Sequence, residues 1–173
     1  MHRTASHDAL FTNALDGLGL EQLLFGDAAA AEQCFRTSLR EKERTLPPGH
    51  WDIVKSMVHL ARALDAQGKW IEAEALHQSA VERYAERYGQ DGKETVEIRW
   101  ELMRVLEKLG KDEEALDMSE GMWEVIRKSA GDEHVDAKEC WNDVLRLRTK
   151  LGTSGQEGIV MNGEDHLEAV VRE

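Results

Sequence analysis

The sequence predicts an all-α fold, a right-handed solenoid of three antiparallel helical hairpins followed by one closing helix. Two stretches that share Gly-Lys-x-x-Glu-Ala begin at Gly68 and Gly110, 42 positions apart. Leu60 recurs at the same interval as Leu102, and Gly110 recurs as Gly152. Only 2 residues are Pro, whereas Ala, Leu, Glu, Lys and Arg, which favour helices, are abundant. A period of this length is typical of stacked helical repeats.

The first hairpin is predicted by moving the repeat backwards along the chain. Gly26 lies 42 positions before Gly68 and is expected to separate the two helices of this hairpin. Its first helix should cover about residues 8–24, and its second should end before Pro47 and Pro48, since proline lacks the backbone N–H that a helix needs.

The later elements follow from apolar spacing and glycines. Between residues 51 and 67, apolar side chains recur at intervals of three and four, which predicts a helix ending at Gly68. A second helix should end at Gly89, and the next 42 residues repeat this hairpin. A lone closing helix is predicted over about residues 134–151, because the stretch "GTSGQEGIV" that follows is too rich in glycine. We therefore expect a repeat domain over 8–152 and a tail over 153–173, with a possible short helix over about 164–172.

Small and large residues alternate in these helices in a recognisable pattern. The residues that carry it are Leu18, Gly19, Ala31, Phe35, Leu60, Ala61, Leu64, Ala73 and Ala80. The pattern resembles the tetratricopeptide repeat (TPR) signature, and the 42-residue period with the junctions "GHWDI" and "DEHVDA" resembles the kinesin light chain variety. This resemblance implies a scaffold that binds a protein or peptide in a concave groove lined by the first helix of each hairpin.

Composition and charge narrow the classes of partner. The 173 residues carry 22 Lys and Arg against 34 Asp and Glu, a net charge of −12, which disfavours nucleic acid and anionic membranes. No run of about 18 apolar residues is present, so we expect a cytoplasmic protein. Cys34 and Cys140 lie too far apart in an extended stack to form a disulfide, and neither has ligands spaced for zinc. We expect free thiols, no metal and no cofactor.

The residues expected to point into the groove are those opposite the core stripe of each first helix. They are Lys55, Val58, His59, Arg62, Asp65, Glu97, Trp100, Glu101, Arg104, Lys108, Glu139, Asn142, Asp143, Arg146 and Lys150. Three of them, Arg62, Arg104 and Arg146, share one register and are predicted to form a column suited to carboxylate or phosphate groups. Trp100 is the best candidate for an aromatic contact with a ligand.

Two readings of these residues stay open. In the first reading, the arginines form simple ion pairs within their own helices. The pairs would be Glu101 with Arg104 and Asp143 with Arg146, whose members stand three positions apart. Alternatively, His59, Glu101 and Asp143 share an inner register and would form the acid and base groups of a small enzyme, or small-molecule binder, that acts on an anionic substrate. In that case the two carboxylates would keep His59 protonated near neutral pH.

We rank a binding scaffold ahead of an enzyme, because repeat stacks offer extended surfaces without built-in chemistry. Its groove would hold a protein or peptide partner through Trp100 and the arginine column. The leucine-rich N-terminal segment "ALFTNALDGLGLEQLLF" further predicts self-association, since an apolar face at the end of a stack needs cover.

Overall fold

The computed structural model describes the backbone of residues 2–153 and the side chains from residue 8 onwards. Most of the predicted tail, including the short helix expected near 164–172, lies outside the described residues. The described part contains seven helices and no strand: α1 (His2–Leu24), α2 (Ala28–Thr45), α3 (Trp51–Ala66), α4 (Trp70–Tyr88), α5 (Lys93–Lys108), α6 (Asp112–Ala130) and α7 (Val135–Lys150). The all-α prediction is confirmed.

Each helix packs mainly on its neighbours in the chain. The pairs α1–α2, α3–α4 and α5–α6 form three hairpins, and α7 packs on α6 as the closing helix. This is the predicted solenoid, in which each repeat contacts only its neighbours. The one difference in extent is at the start, where α1 already begins at His2 and not near residue 8.

The predicted glycine turns occur at the expected period. Gly68 and Gly110 both have φ of +74°, a left-handed backbone conformation that costs a side-chain-bearing residue energy. Each lies in the turn between the two helices of its hairpin. The 42-residue echo in the sequence is therefore the repeated turn of a repeated hairpin.

The starts of α3 and α7 share one capping arrangement. His50 and His134 are the capping residues, since the imidazole Nδ1 of each accepts the backbone N–H of the Asp two residues later, at 3.2 and 3.3 Å. Each Asp lies in the first turn of its helix, where its charge favours the helix dipole.

The core follows the small and large residues of the repeat. Ala31, Ala73 and Ala115 are fully buried and let paired helices approach closely. Val58, which we expected to point into the groove, is 3% exposed and packs with Tyr84 in a core cluster. Val58 therefore faces the core, and its inclusion among the residues of the groove was wrong.

The two cysteines are free thiols, as predicted. Cys140 is buried, and this burial, together with the nearby charge of Asp143, raises the pKa of its thiol to about 12. The thiol therefore stays protonated and contributes to α7 packing, with its Sγ 3.2 Å from the carbonyl oxygen of Ser119.

Three polar side chains meet where α3 packs on α1 and α2, a contact that we call the first junction: Lys42 and Ser56 are buried, and Asp16 is partly buried. Lys42 is 4% exposed, and its Nζ lies 2.5 Å from Asp16 Oδ2 and 2.8 Å from Ser56 Oγ. A buried ion pair of this kind is tolerated only when its charges are paired and hydrogen-bonded. The sequence pattern did not reveal it.

Candidate functional site

The clearest polar site lies where α5 packs on α3 and α4, which we call the second junction. Arg62 of α3 binds the carboxylate of Glu101 of α5 with two nitrogen atoms, Nε at 3.0 Å and Nη2 at 2.5 Å. This bidentate pairing raises the pKa of Arg62 despite partial burial. The two residues stand 39 positions apart, so the pair joins successive hairpins.

His77 of α4 lies beneath this ion pair. Its side chain is 1% exposed, and its Nε2 is 3.8 Å from Glu101 Oε2. Burial lowers the pKa of His77 although Glu101 opposes that change, so the imidazole is neutral at neutral pH. Its Nδ1 has no hydrogen-bond partner within the described chain.

Our sequence reasoning missed His77 because it looked only at first helices. A signal was present: 42 positions earlier the same register holds Phe35, which is fully buried. Because another repeat has phenylalanine at this position, the histidine indicates that the position does more than fill the core here.

A cavity of about 290 Å³ opens at the second junction, and we call it the second-junction cavity. Its lining residues are Arg62, Asp65, Ala66, His77, Glu101 and Arg104. Asp65 is engaged by Lys108 Nζ at 2.6 Å, and Glu101 is engaged by Arg62. Arg104 is exposed and, among the residues that the structure describes, has no ion-pair or hydrogen-bond partner. The cavity therefore carries one guanidinium whose charge is not matched by a neighbouring carboxylate.

The three arginines of the predicted column differ in their partners. Arg146 bonds to the carboxylates of Glu107 and Asp143, which raise its pKa well above the usual range. The expected ion pair within α7, Asp143 with Arg146, is present at 2.8 Å. The expected pair Glu101 with Arg104 does not form, because Glu101 binds Arg62 of the preceding hairpin instead.

His59 lies at the first junction. It is half-buried, and its ring centroid is 5.3 Å from that of Phe35. Burial lowers the pKa of His59, and the carboxylate that partly opposes this is Asp16. Our expectation that Glu101 and Asp143 keep His59 protonated is therefore wrong, since desolvation dominates and neither carboxylate is among the groups that act on it.

The three residues of the enzyme hypothesis lie at three successive repeats. Glu101 lines the second-junction cavity, whereas His59 and Asp143 are not among its lining residues. Asp143 is instead engaged by Arg146 in the last helix.

The other candidate binding residues occupy varied positions. Trp100 is half-buried and packs against the core cluster formed by α5, α6 and α7. Lys55 is exposed with its Nζ 3.3 Å from Asp52. Asn142 is exposed on α7.

Two further features are missing from the described part of the chain. Among the side chains described, those from residue 8 to residue 153, no group of three or more His, Cys, Asp or Glu is placed to hold a metal ion. None of the helices described is both long and apolar enough to cross a membrane.

Comparison with known families and structures gives consistent results. Residues 52–120 match the tetratricopeptide repeat model. Among curated protein sequences, none matches the chain.

Solved structures of three organisms share the fold. A kinesin light chain-like protein of Podosopora anserina with nearly identical TPR-like repeats is 21% identical over 81% of this chain and 66% of its own, with a TM-score of 0.71. BtubC (BKLC) of P. vanneervenii is 21% identical over 87% of this chain and 61% of its own, with a TM-score of 0.65. A TPR-like protein of Chlorobium tepidum is 18% identical over 86% and 98%, with a TM-score of 0.62. The chain thus spans just under two thirds of the first two proteins.

Proposed function

We propose that the chain is a tetratricopeptide repeat scaffold, as the match over residues 52–120 and the shared fold indicate, and that it binds an anionic peptide segment of a partner protein. The proposed contact is the second-junction cavity, with Arg104 as the residue that receives a carboxylate of the peptide. A repeat scaffold of this fold generally serves protein interaction, and it provides no reaction chemistry of its own.

The open charge of Arg104 is the observation that carries the proposal. Arg62 and Arg146, in the same register, are already bound by carboxylates of this chain. Because a guanidinium presents paired N–H donors in a plane, Arg104 suits a carboxylate from outside the chain. The protein as a whole has a net charge of −12, so local complementarity at Arg104 has to overcome a general repulsion of anions.

The remaining groups of the cavity would fix the position of the peptide. The Arg62–Glu101 pair forms one wall, in which two guanidinium nitrogens of Arg62 donate hydrogen bonds to the Glu101 carboxylate. The neutral imidazole of His77 lines the cavity with its Nε2 3.8 Å from Glu101 Oε2, whereas its Nδ1 is buried. Of the other residues expected to bind, Lys55, His59, Asn142, Asp143 and Arg146 would contact only a peptide long enough to run along several hairpins, and Trp100 would need to turn away from the core.

A small anionic molecule is the second candidate for the same cavity. The volume of about 290 Å³ lies just below the range of small-molecule sites, which begins at about 300 Å³. His77 and Glu101 lie 3.8 Å apart in this cavity, so an acid and base pair there would use His77 and not His59. Recovery of a bound metabolite that turns over would favour this candidate.

We further propose a cytoplasmic location, where reducing conditions keep thiols free. Cys34 and Cys140 are both unpaired in the structure.

The test is a selection of binding peptides from a random display library with the full chain as bait. We expect acidic peptides to be enriched, and expect Arg104→Ala to weaken the best of them by about tenfold or more, since loss of a bidentate charged contact costs on the order of 1.5–3 kcal/mol. Arg40→Ala is the matched control, because Arg40 is an exposed arginine of α2 that does not line the cavity. Peptides that bind equally well to both variants would reject the proposed site.

A further inference from the structure

We propose that two copies of this protein associate through an exposed apolar ridge on α1. The ridge consists of Phe11, Leu18 and Phe25, which are 53%, 44% and 79% exposed. The three residues stand seven positions apart, so they lie along one side of the helix. Phe25 follows the last residue of α1, but its N–H still bonds to the carbonyl of Glu21 at 3.1 Å and so continues the helical turn.

The repeat register indicates what this side of α1 is shaped to contact. Leu18 is equivalent to Leu60 and Leu102, which are 2% and 3% exposed. Leu60 packs in a core cluster with Ala31 and Phe35 of the preceding hairpin. In α1 no preceding hairpin is present in the described chain, so the ridge lies where the stack would receive another helix.

A glycine inside α1 supports the approach of a second helix. Gly17 is exposed, and apart from the adjoining residues of its own helix no atom of the described chain would lie within 4 Å of a Cβ at this position. A glycine inside a helix is unfavourable relative to alanine, and the fold of the single chain gives no reason for it. Gly19 is different, because a Cβ there would meet the ring of Phe35 at 2.6 Å. A neighbouring helix packed beside Leu18 supplies the missing reason at Gly17, since small residues let helices approach closely.

The ridge is suited to a second copy of itself. Phe11 and Phe25 stand at equal distances on either side of Leu18, and the ridge is about 21 Å long at 1.5 Å per residue. Two antiparallel α1 helices would therefore place Phe11 of each copy against Phe25 of the other, with Leu18 at the two-fold axis. Such a pairing is closed and stops at two copies.

Light scattering on the full chain after size-exclusion chromatography tests this proposal. We expect a mass that rises from one copy to two as concentration increases. Because salt screens the repulsion between two chains of charge −12, the dimer should strengthen with salt. Leu18→Glu should raise the dissociation constant by more than about tenfold, because it places a charge at the centre of the apolar contact. Ile71→Glu is the control, since Ile71 is 75% exposed on α4 and should not affect the dimer.

A disulfide variant tests the two-fold axis separately. In a Cys34→Ser background, Leu18→Cys should form a covalent dimer on mild oxidation, whereas Ile71→Cys in the same background should not. If Leu18→Glu does not fold by circular dichroism, Gly17→Leu replaces it, because the added side chain has open space in the single chain and would block only a second helix.

Three outcomes would overturn the proposal. The first is a monomer at every concentration. The second is assembly that continues beyond two copies, which is expected if the ridge of one copy binds α7 of the next. The third is a dimer whose dissociation constant is unchanged by both Leu18→Glu and Gly17→Leu.

Discussion

The first and second junctions are built on the same register but place their polar groups on opposite sides. At the first junction, Asp16, Lys42 and Ser56 form a buried polar cluster. The three equivalent residues of the second junction are Val58, Tyr84 and Ile98, which form an apolar cluster. The interior of the stack thus accepts either chemistry at one set of positions.

The groove side shows the reverse arrangement. The residues of the first junction are Leu20, Phe35 and His59, whereas the equivalent residues of the second are Arg62, His77 and Glu101. The first junction is polar inside and largely apolar towards the groove, and the second is apolar inside and charged towards the groove. This difference distinguishes the second junction, which holds the proposed binding site, from the first.

The largest effect is expected for Lys42→Ala at the first junction. The change leaves the carboxylate of Asp16, 15% exposed, without its partner, and breaking a buried ion pair in this way costs about 3–5 kcal/mol. The free energy of unfolding in urea measures it. Arg40→Ala on the same helix is the control and should change stability by less than about 0.5 kcal/mol.

Converting the first junction to the apolar chemistry of the second should remove that penalty. We expect the double variant Asp16→Leu with Lys42→Met to be as stable as the natural protein, or more stable by up to about 4 kcal/mol, because neither charge is then buried. A double variant as unstable as Lys42→Ala would mean that the shape of the cluster, and not its unpaired charge, decides stability.

A carboxylate that recurs at both junctions is held more strongly at the first. Glu32 accepts hydrogen bonds from Arg36, Gln67 and Lys69, each at 2.7 Å. Burial alone would raise its pKa, but these donors outweigh burial and lower it from 4.5 to about 2. Within the described chain, the equivalent Glu74 accepts hydrogen bonds from Lys111 and Gln78 only.

We therefore expect Glu32→Gln to cost about 1–3 kcal/mol at neutral pH and Glu74→Gln to cost less. Because the pKa of Glu32 is lowered on folding, its contribution is present above pH 4.5 and is lost as the pH falls towards 2. Urea unfolding at several pH values measures this. If the free energies of unfolding of Glu32→Gln and of the natural protein differ by the same amount down to pH 2, the proposed role of the Glu32 carboxylate is contradicted.

Side-chain size provides the smallest of these contrasts. At the first junction the ring of Phe35 abuts Gly19, and at the second the equivalent residues are His77 and Ala61. His77→Phe should therefore overpack the second junction at a cost of about 1–2 kcal/mol. Adding Ala61→Gly should recover part of that cost, as thermal or urea unfolding of the two variants would show. If the added glycine only lowers stability further, the two junctions do not share this contact.

Much of the fold was predictable from the sequence because it depends on local features that recur. Gly68 and Gly110 mark turns that need a positive φ, and apolar spacing of three and four marks the helices between them. The 42-residue register likewise groups Arg62 with Arg104 and Arg146, because equivalent positions of successive hairpins can be counted along the chain.

The partners within the site were not predictable in the same way. Glu101 stands three residues before Arg104, and that spacing permits an ion pair within the helix, yet the carboxylate binds Arg62 39 positions earlier. Whether Glu101 binds Arg62 or Arg104 depends on the distance between neighbouring hairpins. Helix packing sets this distance, and spacing along one helix does not reveal it. The Lys42–Asp16 ion pair was not predicted for a related reason, since each residue alone is typical of an exposed helix face.

The most direct test of the central claim follows the histidine ring signals by NMR while a selected acidic peptide is added. We expect the His77 signals to shift, because His77 lines the second-junction cavity, and those of His59 at the first junction to stay unchanged. Histidine-to-glutamine variants at the two positions assign the signals. A peptide that shifts His59 and leaves His77 unchanged would contradict the account, because it would place binding at the junction whose groove side is largely apolar.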